Sequence, residues 1–288
     1  MRAKAPEKKI ALVLGSGGAR GWAHIGVLKA LDELGCKPDM VVGTSIGAIV
    51  AAIYAAGVVD AAERVALSID WKQVAKLFFE VNIPRSGLVK GERIMDLLRS
   101  LIPVKRIENL TVSYAAVATD LRLEQEVVLA EGDLFKALRA SFSIPGVFTP
   151  VEYTKGQWLV DGGLVNPLPI SVARSMGATH VVGVDINLIG ALREKIKSPT
   201  MMDVLLGTFR AIENSITRER LLREPPDVLI QPKVGYLGTL DFHHAPHAIH
   251  HGYTAVMEQK GALLQLFDLN LLRQMKTTPK VRKLSLLV

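Results

Sequence analysis

The sequence predicts an α/β protein, a three-layer α/β/α sandwich around a mostly parallel central sheet. Three observations carry this. Short apolar runs of strand length, such as KIALVL at residues 9–14 and the stretch 180–186, alternate with helical patterns. Glycine-rich turns join strand to helix at residues 15–18 and 43–47. No repeat at a fixed period and no long linker divides the 288 residues. One domain over residues 10–275 is therefore expected, with tails at 1–9 and 276–288 and the motif-bearing part at about 10–175.

The elements follow in order. After the first strand and turn, residues 20–34 place Ile25, Leu28, Leu31 and Leu34 at helical spacing, and Gly35 closes the helix. Residues 40–42 form a second strand and 46–56 a buried helix. The almost uncharged stretch 41–59 approaches the length of a membrane span. Gly43, Thr44, Ser45 and Gly47 interrupt it, so strand, turn and helix is the better parse. From Asp60 to Leu101, apolar and basic residues alternate in helical blocks, predicting helices over one end of the sheet. Strands are expected at 112–119 and 126–129, a helix at 133–140, a hairpin over 148–160 and a helix at 169–176. Strands at 180–186 and 228–231 and helices at 199–222 and 247–267 complete the prediction.

Composition narrows the function. With 49% hydrophobic and 22% charged residues, the chain can pack a core, which excludes wholesale disorder. The net charge of +7 suits nucleic acid, an anionic membrane surface or an anionic substrate. Only 6% of residues are aromatic, which argues against nucleic acid held by base stacking. Cys36 has no disulfide partner, and no apolar stretch follows the basic N-terminus as a signal peptide requires. A cytoplasmic location is expected, with Cys36 a structural thiol.

Gly43-Thr44-Ser45-Ile46-Gly47 matches G-x-S-x-G between a strand and a helix. That context puts a serine on a sharp turn, with glycines relieving crowding and helix N–H groups facing any developing anion. A serine that merely caps a helix is the plainer alternative. Gly15-Ser16-Gly17-Gly18-Ala19-Arg20-Gly21 also lies between strand and helix, and two readings compete. A dinucleotide loop wants glycine at the sixth position, where Arg20 stands, and an acidic residue at a strand end, whereas Asp39 precedes a strand. An oxyanion hole would use the amides of Gly17 and Gly18, with Arg20 holding the loop or a phosphate.

A serine nucleophile needs a base. No histidine after Ser45 stands alone in a loop: His180 opens a strand and five others crowd into HHAPHAIHH. That cluster is weighed as a metal site against a polar helix start, and the helix start is preferred because no cysteine and few acids accompany it. His24 reads as a packed helix residue. Asp161-Gly162-Gly163 stands out, since small neighbours leave the carboxylate accessible, although Asp-Gly is also a common turn.

GSGGARGWAHIGVL, GTSIGA, ASFSIPGVFTPV and DGGLVNPLP, in that order, resemble the patatin-like phospholipase family. The block DFHHAPHAIHHGY also resembles its bacterial, neuropathy-target-esterase-like branch. The resemblance implies a lipid acyl hydrolase with a Ser45–Asp161 dyad and no catalytic histidine. It also implies an oxyanion hole from Gly17 and Gly18, with Gly21 and with Arg20 beside it. One departure is Ser16, where many members have glycine. Ser141 and Pro145 match a block that shapes the site wall. The implied substrate is a phospholipid, lysophospholipid or related ester. No metal or organic cofactor and no nucleic acid is called for. The apolar–basic stretch 71–106 (Lys72, Lys76, Arg85, Lys90, Arg93, Arg99, Lys105 and Arg106 with Phe78, Phe79, Ile94 and Leu97) is read as a lid packed on the core. A lipid substrate favours its peripheral contact with an anionic membrane face. Two rivals remain: a nucleotide-dependent enzyme using the GSGGARG loop, and a non-catalytic lipid-binding regulator on the same fold.

Overall fold

A computed structural model describes residues 7–78, 89–187 and 198–268, with side chains 75–78 excepted. The sheet strands are β1 (Ile10–Leu14), β2 (Met40–Thr44), β3 (Ser113–Asp120), β4 (Gln125–Leu129), β5 (Val151–Thr154), β6 (Gln157–Asp161), β7 (His180–Val184) and β8 (Val228–Ile230). Their order is β5-β6-β3-β2-β1-β7-β8, with β4 also paired to β3. The run β3-β2-β1-β7-β8 is parallel. β4 and β6 pair antiparallel with β3, so one side of the sheet is mixed.

The helices are α1 (Trp22–Glu33), α2 (Ile46–Ala55), α3 (Val59–Ser68), α4 (Trp71–Phe78), α5 (Glu92–Leu101), α6 (Leu134–Ser141), α7 (Ile170–Ser175), α8 (Met201–Arg223), α9 (Ala245–Glu258) and α10 (Lys260–Leu266). Alternating strand residues feed two cores. Leu12, Leu14, Val41 and Ala116 pack with α1, α2 and α9 on one face. Ala11, Val13, Val42 and Val117 pack with α7 on the other. Period-two alternation of wholly apolar strands is what a sheet covered on both faces requires.

The stretch 41–59 folds as strand, elbow and helix, and no helix among the described residues is long and apolar enough to cross a membrane. Lys9 is already tied to the fold: its carbonyl accepts from the Thr179 and His180 backbone N–H groups, beside the Ile10–His180 pair where β1 and β7 begin. Residues 1–6, the expected C-terminal tail and the segment 79–88 with Phe79 and Arg85 lie outside the described residues.

α9, which carries most of the histidine block, turns Ala245, Ala248, Gly252 and Ala255 inward. A Cβ on Gly252 would collide with the Ala23 carbonyl, so this face serves a close crossing with α1. No group of three or more metal-ligating side chains converges among the described residues. Cys36 is buried, and burial pushes its thiol up to about 11, so it stays protonated.

Candidate active site

The C-terminal ends of the parallel strands converge. Leu14 is level with Gly43 and with Val184, and Thr44 with Val117. β3 continues to Asp120, and the residue after Val117, Ala118, pairs with Asp161. Ser45 follows Thr44 directly, so β3 sets the spacing that brings the Ser45 strand and the Asp161 strand together. The glycine-rich loop leaves β1 where the strand order reverses, the crevice where open α/β sheets bind ligands.

Ser45 sits at φ 57°, ψ −123°, a conformation that costs a non-glycine residue on the order of 1–3 kcal/mol. Its surroundings hold it there. The Ser45 N–H donates to Ser141 Oγ (3.0 Å), whose hydroxyl donates in turn to the Val117 carbonyl (2.6 Å). The Thr44 hydroxyl donates to the Asn166 carbonyl (2.7 Å). Gly43 and Gly47 make the turn sterically feasible: a Cβ on Gly43 would strike the Gly47 carbonyl, and one on Gly47 would strike the Leu14 carbonyl.

Ser45 Oγ donates to Asp161 Oδ2 at 2.5 Å. Asp161 is wholly buried. Its Oδ1 accepts from the Gly163 N–H (2.8 Å), its backbone carbonyl accepts from the Thr119 hydroxyl (2.8 Å), and its N–H donates to the Ser143 carbonyl (3.0 Å). The block expected only to shape a wall thus clamps both residues, Ser45 through Ser141 and Asp161 through Ser143. Burial raises the Asp161 carboxyl to about 8; the nearby Glu213 charge adds to this, while the Ser45 and Gly163 hydrogen bonds oppose it.

In the glycine loop, the N–H groups of Ser16 and Ala19 donate to the carbonyls of Pro167 (2.9 Å) and Thr239 (2.9 Å). No backbone carbonyl among the described residues takes those of Gly17 and Gly18. Both glycines have positive φ, and Gly18 lines the same pocket as Ser45. Arg20 is buried and points inward, its Nε donating to the Gly17 carbonyl (2.9 Å). Gly21 ends the short 3₁₀ turn and packs against Ile46. His24 Nε2 lies 2.8 Å from the Gly15 carbonyl, and burial lowers its ring to about 4, so it is neutral and pins the loop.

An apolar pocket runs from Ser45 along Ile46, Ile49, Val50 and Ile53 of α2, closed by α3, α5 and the Phe142–Phe148 loop. Ile94, Leu97, Leu98 and Leu101 of α5 line it. Arg93 and Arg99 of the same helix stay exposed, as expected of a lid packed on the core. Sequence reasoning missed Glu213, a buried carboxyl on α8 raised to about 7 by burial and pulled back by the Ser16 hydroxyl, Arg20 and Arg210. Its signal was present: Arg210, Glu213, Asn214 and Thr217 form a polar stripe at i, i+3, i+4 and i+7.

The profile of the patatin-like phospholipase family matches residues 12–174. The chain belongs to that family. This patatin-like chain is 40% identical over 179 residues to an uncharacterized NTE family protein of Mycobacterium tuberculosis, covering 62% of this chain and 49% of that one. It is 38% identical over 182 residues to patatin-like phospholipase domain-containing protein 6 of Homo sapiens, covering 62% and 13%. It thus spans about half the length of the mycobacterial relative and a small part of the human one. Among solved structures, VipD from Legionella pneumophila aligns with a TM-score of 0.49 at 16% identity, covering 92% of this chain and 67% of that one.

Proposed function

We propose that this patatin-like chain is a serine lipid acyl hydrolase of the phospholipase A or lysophospholipase type. The observation that carries the reading is the 2.5 Å contact of Ser45 Oγ with the buried Asp161 Oδ2 at the head of an apolar pocket. Ser45 Oγ attacks the acyl carbon while its proton passes to Asp161 Oδ2. The oxyanion meets the N–H groups of Gly17 and Gly18 and the positive end of α2. The bond to the alcohol breaks, and Asp161 returns the proton to the leaving oxygen. Water repeats the sequence, releasing the fatty acid and restoring Ser45. An ordinary aspartate is a poor base toward serine; burial strengthens it, and the short hydrogen bond aims the hydroxyl. Arg20 and Gly21 support the loop and add no donor of their own in this scheme. The dyad needs no metal or organic cofactor. A lipid substrate and the +7 charge favour peripheral contact with an anionic membrane face, from a cytoplasmic location.

The decisive experiment is labelling with a fluorophosphonate, followed by a lipid panel read by mass spectrometry. Wild type is expected to label and to release fatty acid, and Ser45→Ala to do neither. Saturable nucleotide binding with labelling indifferent to Ser45→Ala would overturn the reading. So would liposome binding without turnover of any ester, the signature of a non-catalytic lipid binder.

The pocket makes a second prediction. Ile53 lies eight residues beyond Ser45 along α2, roughly 12 Å at helical rise. Ile53→Trp is expected to lower kcat/KM for long acyl chains by about tenfold or more while sparing short ones. A uniform loss across chain lengths would place the acyl chain elsewhere.

A further inference from the structure

The buried face of α8 is polar. Arg210, Glu213, Asn214 and Thr217 are all buried, while Met201, Val204, Ile212 and Leu222 face outward. This inverts the usual amphipathic order. A buried carboxylate is costly unless its partners are specific, so Glu213 requires a physical reason.

Glu213 stands beside the Asp161 half of the site. On one side is Gly163, whose N–H donates to Asp161 Oδ1 (2.8 Å). A Cβ on Gly163 would collide with Glu213 Oε1 and stand 3.1 Å from Asp161 Oδ1, so both carboxyl groups flank one glycine. The charges of Arg20 and Arg210 pull the Glu213 carboxyl back down against its burial, and Arg20 Nε donates to the Gly17 carbonyl (2.9 Å). Arg210 Nη2 donates to the Gly235 carbonyl (2.8 Å). The remaining acid nearby, Asp185, is engaged with the Asn187 N–H (2.9 Å) and Gln231 Nε2 (3.1 Å).

We propose that Glu213 is a positioning residue for the base, facing Asp161 across Gly163. This rests on the Ser45–Asp161 reading. Two negative charges in a dry site repel strongly. Moving the Ser45 proton onto Asp161 Oδ2 neutralises one of them, so Glu213 favours the proton transfer that attack requires.

The test is the pH dependence of hydrolysis of a short-chain p-nitrophenyl ester by the full chain and by Glu213→Gln, which keeps the side-chain volume. The base must be ionised to act, so kcat/KM rises with pH through its titration. Removing the facing charge is expected to move this acid limb to lower pH by about one unit and to lower the plateau about tenfold. A purely structural role would lower the rate at every pH and leave the limb in place, which overturns the proposal. Glu213→Asp withdraws the carboxylate by one methylene and serves where the glutamine variant does not fold: a smaller shift in the same direction is expected, and an unmoved limb overturns the proposal. If neither variant folds, Glu213 acts in stability alone and the proposal fails. Asp161→Asn separates the two readings. Full activity there removes the dyad itself, whereas an inactive Asp161→Asn with an unmoved Glu213→Gln limb removes only the role of Glu213.

Discussion

Asp161→Asn is expected to lower kcat for ester hydrolysis roughly thousandfold or more in a protein that stays folded. Asparagine keeps the shape, and its Oδ1 can still accept from the Gly163 N–H. The amide that replaces Oδ2 cannot take the Ser45 proton, so attack loses its base. The same substitution is expected to stabilise the protein in alkali. The folded carboxyl is raised from the ordinary 3.8 to about 8. The folded state therefore holds this proton more tightly than the unfolded chain. Its contribution is fully present below the unfolded value and is lost as pH rises through about 8. Asparagine never ionises, so above that pH the variant escapes a penalty on the order of a few kcal/mol. Thermal unfolding of both proteins at about pH 4 and about pH 9 reads this directly. Equal melting temperatures in alkali would show that Asp161 ionises freely in the folded protein.

Gly47→Ala carries the second large effect, on stability. The methyl group would strike the backbone carbonyl of Leu14 and come within 2.7 Å of the Gly15 carbonyl. Those atoms belong to β1 and the loop that follows it, in the middle of the sheet, and no rotamer change moves them. Overpacking against backbone is expected to cost on the order of 3 kcal/mol or more. Denaturant unfolding should show the midpoint fall, with fluorophosphonate labelling falling in step because the elbow and the glycine loop share this contact. Unchanged stability would mean that β1 and α2 separate more easily than their packing indicates.

The parallel strands and the helices between them were legible because their apolar runs are buried on both faces and their turns carry glycine. The elbow at Ser45 was legible for the same reason, as steric need forces glycine at positions 43 and 47. The mixed side of the sheet was not. β4 and β6 both pair with β3, and the choice of partner depends on contacts between segments distant in sequence. Asp161 could be singled out by its small neighbours, but its burial and its distance from Ser45 come from the register of β3. Sequence reasoning gave Ser141 no contact of its own and passed over Ser143 and Glu213, because a hydroxyl or carboxyl on a helix is ordinarily solvated and a backbone carbonyl leaves no mark in the sequence. The packing of α6 and α8 turns Ser141 and Glu213 inward, and the turn after α6 places the Ser143 carbonyl against the Asp161 N–H. The histidine block drew attention by composition, while the structure uses its small residues.

Ser45 and Asp161 are 116 positions apart in the chain, and β3 lies between their strands. Closing so long a loop is entropically slow relative to forming local helices. A nascent or partly folded chain can therefore hold the elbow of β2 and α2 without holding its base. On the Ser45–Asp161 reading, competence to react with a fluorophosphonate arises only once β6 has docked on β3, so labelling doubles as a clock for that step of sheet assembly.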